Sequence, residues 1–249
     1  ERPASASATR RSAASPLAAA LDLRRVRGSS DGRMPPIRAI VFDFDGTLVD
    51  ASDAIVASMK AVLSDHAVPV PEERAIRASI GRPLLEMFHA ADPQADAERV
   101  QRYAREYRSF FFEHALHLTR PMPGVPEVIR TLAERCRLGI ATTRKADGAI
   151  HILRSIGMLE LFGIVIGLDE VSRPKPDPEP VLLALRHLHV SAAEAVMVGD
   201  TPDDMMAGLL AGAVPVGVTT GAHDAERLDA AGARHVIASL HELEALVVP

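Results

Sequence analysis

The chain has 249 residues, with 28 Lys+Arg against 33 Asp+Glu, for a formal charge of −5. That length gives ample chain for a core in one large domain or two small ones. The mild acidic excess argues against general nucleic-acid binding, because no basic surplus is present to neutralise phosphates. No apolar run approaches a bilayer's thickness, so no membrane span is expected. Cys136, the single cysteine, excludes an internal disulfide framework and fits a small core filler in a reducing, cytoplasmic setting.

Residues 1–33 stand apart. They are rich in Ala, Ser and Arg, hold seven Arg and three acids, and leave the remainder at −9. Such a segment buries too little surface to offset its ordering entropy, so a disordered tail is expected, with a short helix near residues 17–25 at most. It reads as an extension upstream of Met34, with an organelle transit segment as the competing reading.

Beyond Met34, short β-branched runs alternate with helical patterns. Strands are expected at 37–44, 138–142, 164–166, 195–198, 214–218 and 235–237. Helices are expected at 125–135, 148–156, 178–189, 203–211, 224–230 and 240–247. Gly157, Gly212 and Gly232 stand where helix-ending glycines belong. This alternation predicts an α/β fold, a Rossmann-like parallel sheet flanked by helices.

Residues 51–119 break the alternation. Only helical periodicity is present, at 55–66, 72–79, 84–90 and 95–114, and most of the aromatics fall here. The domain reading is therefore a core of 34–50 with 120–249, and a helical cap of 51–119. The aromatic stripe is expected to form the cap's own small core. A cap suits a fold whose ligands bind beyond the carboxyl ends of the strands.

Four clusters sit at such strand ends. Asp43 and Asp45, with Gly46 to allow a sharp turn, close the first strand; two carboxylates two residues apart point the same way if the strand runs through them. Such a pair suits a nucleophile and an acid/base. Thr142 and Thr143 end the second strand, where a hydroxyl can donate to an anionic oxygen. Lys175 lies between two prolines in RPKPDP. Asp200 and Asp204, in GDTPDD, offer the hard oxygen ligands that Mg²⁺ prefers.

In this order the clusters resemble the motifs of the haloacid dehalogenase superfamily, in its phosphoglycolate phosphatase-like branch. VFDFDGTLVD, IATT, RPKPDP and GDTPDD are similar to its four motifs, and the helical insert is similar to its type-1 cap. The resemblance implies an aspartyl-phosphate mechanism. Asp43 would be the nucleophile and Asp45 the acid/base. Thr142 would donate to the phosphoryl group, and Lys175 would pair with Asp43 and phosphate. Asp43, the Asp45 backbone carbonyl, Asp200 and Asp204 would hold Mg²⁺, Asp204 directly or through water. Thr143, Gly46 and Arg82 are the expected substrate-binding residues, with Lys60 a further cap candidate. Many members carry Asn at the position of Thr143 and Lys at that of Arg144.

The expected activity is Mg²⁺-dependent hydrolysis of a small anionic phosphomonoester such as phosphoglycolate. The partner is then a small phosphorylated metabolite, with neither nucleic acid nor membrane. A sugar-phosphate mutase, a pyrophosphatase and a non-catalytic phospho-acceptor module are the alternatives.

Overall fold

A computed structural model describes residues 36–247. The expected tail at 1–33 lies outside the described residues.

Six parallel strands form the main sheet, in the order β5-β4-β1-β6-β7-β8. They are β1 (Ala39–Phe42), β4 (Arg137–Ala141), β5 (Ile164–Ile166), β6 (Ala195–Gly199), β7 (Val214–Val218) and β8 (His235–Ile237). Two further strands, β2 (Val49–Asp50) and β3 (Arg120–Pro121), pair antiparallel as a separate ribbon. In chain order the helices are α1 (Ser52–Asp65), α2 (Glu73–Arg77), α3 (Leu84–Ala91), α4 (Ala97–Phe110), α5 (Val125–Ala133), α6 (Ala146–Ser155), α7 (Glu179–Leu188), α8 (Pro202–Ala211), α9 (Ala225–Ala230) and α10 (His241–Val247).

Both faces of the sheet are covered, which is why its strands read as continuous apolar runs. Alternate residues of β1 serve opposite cores: Ile40 and Phe42 join the cluster that includes α5 and α6, whereas Ala39 and Val41 join Val181 and Leu185 of α7. β6 splits the same way, with Val196 and Val198 on the first face and Ala195 and Met197 on the second. Burying each large side chain contributes about 1.5–3 kcal/mol. Cys136 is buried as a small filler, its thiol pKa pushed up by burial.

The strand order reverses direction at β1. After β1 the chain adds β4 and β5 on one side, then returns to build β6, β7 and β8 on the other. The carboxyl ends of β4, β1 and β6 therefore meet around one crevice, where such a sheet places its ligand.

Helices α1 to α4 lie between β2 and β3. Their centre is aromatic: the Phe88 ring lies 5.5 Å from Tyr103 and 5.9 Å from Tyr107, and Tyr107 stacks on Phe111 at 5.9 Å. Asp96 caps α4 by accepting from the Arg99 N–H at 2.8 Å. α4 continues into a π turn over Phe111–Ala115. Lys60 does not reach the crevice; its ammonium pairs with Glu73 at 2.8 Å on the insertion's exposed surface.

Candidate active site

β1 ends at Phe42, two residues before its expected limit. The Asp43 N–H still donates to the Val198 carbonyl at 2.8 Å, but the Phe44 carbonyl then accepts from both Leu48 and Val49, at 2.9 and 3.1 Å. The backbone has turned. The condition on which Asp43 and Asp45 would point the same way, a strand running through both, is therefore not met. Asp43 is drawn into a buried cluster and Asp45 faces a different partner.

Gly46 makes that turn at φ +90°, and a Cβ there would stand 2.5 Å from Asp200 Oδ2. Both facts require glycine. Its carbonyl accepts from Thr220 Oγ1 at 2.9 Å. Gly46→Ala is expected to cost about 1–3 kcal/mol through backbone strain and to displace Asp200. Thermal melting and phosphate release would both register it, and unchanged values in both would refute the requirement.

The carboxylates of Asp43, Asp200 and Asp204 offer oxygens that all lie within 4.8 Å of one another, and all three residues are buried. They come from the ends of β1 and β6 and the first turn of α8. Lys175, from the loop between β5 and α7, is 6% exposed. Its ammonium donates to Asp43 Oδ1 at 2.6 Å and to Asp204 Oδ1 at 2.5 Å. Asp204 also closes a capping box, its Oδ2 accepting from the Thr201 N–H at 3.0 Å and the Thr201 hydroxyl at 2.6 Å. Asp200 is held by Thr47 Oγ1 at 3.2 Å and the Ala222 N–H at 2.7 Å.

Burial is the main reason the Asp43 pKa lies well above the ordinary aspartate value; Lys175 pulls it down, and Asp204 and Asp200 add repulsion. Burial, then Asp204, pushes Asp200 up to about 6. Burial opposes the Lys175 charge, yet Asp204 and Asp43 outweigh it and hold the ammonium's pKa above its usual range. Three buried carboxylates against one ammonium leave surplus negative charge, the condition a bound cation relieves. The donor set is all hard oxygen and fits Mg²⁺. The surroundings are close as well: a Cβ on Gly221 would lie 1.9 Å from Asp200 Oδ2.

The remaining expected residues lie at the end of β4 and on a cavity beside it. Thr142 is buried, and its Oγ1 accepts from the Arg144 N–H at 3.1 Å, leaving the hydroxyl proton available to donate. Thr143 Oγ1 donates to the Gly81 carbonyl at 3.1 Å, tying β4's end to the helical insertion. Arg82 is exposed at the edge of a cavity of about 300 Å³ between the insertion and the strand ends. Asp45, Thr143 and Arg144 line this cavity from the core side; Leu84, Arg108 and Phe112 line it from the insertion. Sequence reasoning missed Arg108 and Lys145 on the cavity wall, and Thr47 and Ala222 on Asp200. It also missed the partner of Asp45, which is Arg144. Its one available signal was the departure from Lys at that position.

A sheet reversing at β1, with an acidic cluster and a lysine at its carboxyl edge, defines a hydrolase of the haloacid dehalogenase type. The chain belongs to that family: the sequence pattern described as haloacid dehalogenase-like hydrolase matches residues 40–218. It is 37% identical over 209 residues to "Probable phosphatase IndB" of Dickeya dadantii, covering 82% of this chain and 90% of that one. It is 36% identical over 209 residues to pyrophosphatase PpaX of Bacillus velezensis, covering 83% and 94%. Among solved structures, a hydrolase from Pseudomonas syringae matches with TM-score 0.72 at 28% identity, over 84% of this chain and 96% of that one. Among the described residues, no helix is long and apolar enough to cross a membrane.

Proposed function

We propose that this protein is a Mg²⁺-dependent phosphatase that hydrolyses a small anionic phosphomonoester through an aspartyl-phosphate. One observation carries the reading: Asp43, buried at the carboxyl end of β1, converges with Asp200 and Asp204 and is paired with Lys175.

In the first displacement an Asp43 carboxylate oxygen forms a bond to phosphorus as the bond to the leaving oxygen breaks. Asp45, on the cavity side, gives that oxygen its proton. Thr142 and Lys175 hold the phosphoryl oxygens. In the second displacement water attacks phosphorus, its proton passes to Asp45, and the Asp43–phosphorus bond breaks to release phosphate. Both steps bring anions together, so their rates rest on alignment and charge neutralisation. Asp43, Asp200, the Asp45 carbonyl and Asp204 would hold Mg²⁺, Asp204 less directly because Thr201 and Lys175 already occupy it. The cation supplies charge neutralisation between nucleophile and phosphate.

The helical insertion acts as a cap that selects the leaving group. Arg82, Arg108 and Lys145 on the cavity wall suit a second anionic group, and phosphoglycolate is the leading candidate. A pyrophosphatase is the second reading, favoured by the likeness to pyrophosphatase PpaX over 94% of that protein.

Phosphate release from phosphoglycolate, pyrophosphate and phenyl phosphate tests these readings, with and without a chelator. Activity is expected to vanish on chelation and to return with Mg²⁺. Arg82→Ala is expected to raise KM for the first two about tenfold more than for phenyl phosphate, as one lost charge-assisted hydrogen bond predicts. Full activity in chelator would sink the metal role, and equal KM changes would sink the role of Arg82.

A further inference from the structure

Arg144 follows the strand-end threonines. Its guanidinium grips Asp45 through two parallel hydrogen bonds, Nε to Oδ2 at 3.0 Å and Nη2 to Oδ1 at 2.7 Å. Both side chains are 13% exposed. The guanidinium carbon also lies 4.9 Å from the centre of the Phe111 ring. The Arg144 backbone N–H is anchored on Thr142. The side chain is therefore fixed by β4's end, by the insertion and by its acidic partner at once.

We propose that Arg144 is a positioning residue that aims the Asp45 carboxyl at the leaving oxygen of the substrate. This rests on the reading of Asp45 as acid/base. Asp45 stands at the start of the turn beyond β1, bridged to Val49, and among the described residues its carboxylate has no hydrogen-bond partner besides Arg144. Without the fork, no other hydrogen bond there orients the carboxyl. A guanidinium holds a carboxylate in one plane by two bonds, whereas an ammonium supplies charge without orientation. Asp45 and Arg144 both face the cavity in which the leaving group must sit. Phe111 belongs to the helical insertion, so the insertion backs the acid through an aromatic face under the guanidinium.

The step at stake is the first displacement. As the phosphorus–oxygen bond breaks, a proton carried on the second lone pair of an Asp45 oxygen, the one the fork leaves free, moves to the departing oxygen and leaves Asp45 a carboxylate. The need for it grows with the basicity of that oxygen: an alkoxide requires it, and a dinitrophenolate does not. A misaimed Asp45 therefore penalises alkyl esters and spares activated aryl esters. Weaker phosphate binding, or a smaller folded fraction, would lower every ester alike.

The test is kcat/KM for dinitrophenyl, nitrophenyl, phenyl and alkyl phosphates, measured on the full chain with Mg²⁺. The proteins are wild type, Arg144→Met, Arg144→Lys, Asp45→Asn and the Arg144→Met/Asp45→Asn double variant. Arg144→Met is expected to lose about 100-fold on the alkyl ester and less than about threefold on the dinitrophenyl ester, the lower end of general-acid effects. Arg144→Lys should fall between Arg144→Met and wild type. The double variant should be no worse than Asp45→Asn alone, since both remove one function. Ratios between esters on one sample do not depend on how much of it is folded. A uniform loss in Arg144→Met beside a steep dependence in Asp45→Asn would overturn the inference alone, as would additive losses in the double variant. A wild-type dependence in Asp45→Asn would overturn the acid–base reading and this inference with it.

Discussion

Lys175→Met is expected to destabilise the chelator-treated protein by about 3–5 kcal/mol at pH 8, the usual cost of leaving buried charge without its partner. Lys175 is 6% exposed, and its ammonium neutralises two carboxylates at once, Asp43 and Asp204. Methionine fills similar volume, so the loss is electrostatic rather than a cavity. The cost should shrink as pH falls. The Asp43 pKa already lies above its unfolded value, chiefly through burial. A raised carboxylate contributes stability that is complete below the unfolded pKa and is lost as pH rises through the folded one. Removing Lys175 moves the folded pKa higher still, so the gap between variant and wild type widens from pH 5 to pH 8. Urea denaturation at both values measures it. An equal gap at both would show that Lys175 stabilises by packing instead.

Asp43→Asn should show the opposite profile. Phosphate release is expected to fall by about 10⁴-fold or more, as with other lost nucleophiles. The chelator-treated protein should nevertheless stay within about 1 kcal/mol of wild type, or exceed it. The amide is the same size, and its oxygen can still accept from Lys175. It also removes a charge that burial, Asp204 and Asp200 all oppose. That is the ordinary tension between a reactive site and a stable one. Residual activity above about 1% of wild type would point to another nucleophile.

The strands at 164–166, 214–218 and 235–237 fall where their isolated β-branched runs put them, because the parallel interior rewards little else. The first strand does not: 37–44 reads as one buried strand, yet Phe44 lies in the turn that Gly46 enables, and its apolar side chain resembles a strand residue. β2 and β3 were illegible, being two residues each with a proline among the four. Asp43, Lys175, Asp200 and Asp204 could be singled out because each stands in a short local motif: Asp43 just past β1, Asp200 just past β6, Asp204 in the first turn of α8, and Lys175, contrary to expectation, in the loop well beyond the end of β5. The bond between Asp45 and Arg144 was not, since 99 residues separate them and no local pattern encodes the pairing. The supports of Asp200 were hidden for the same reason: Thr47 and Ala222 meet it only across the fold.

The ribbon of β2 and β3 has a consequence for how such a protein changes. Asp50 is paired with Arg120 and Val49 with Pro121, so the segment between them leaves and rejoins the core at one ribbon beside the main sheet. A different set of helices grafted between those residues would leave the register of β1, β4 and β6 untouched. On the proposed reading of the insertion as a cap, specificity would be portable while chemistry stays put. The graft must still carry two keys, a backbone carbonyl for Thr143 and an aromatic face for Arg144, which Gly81 and Phe111 provide here.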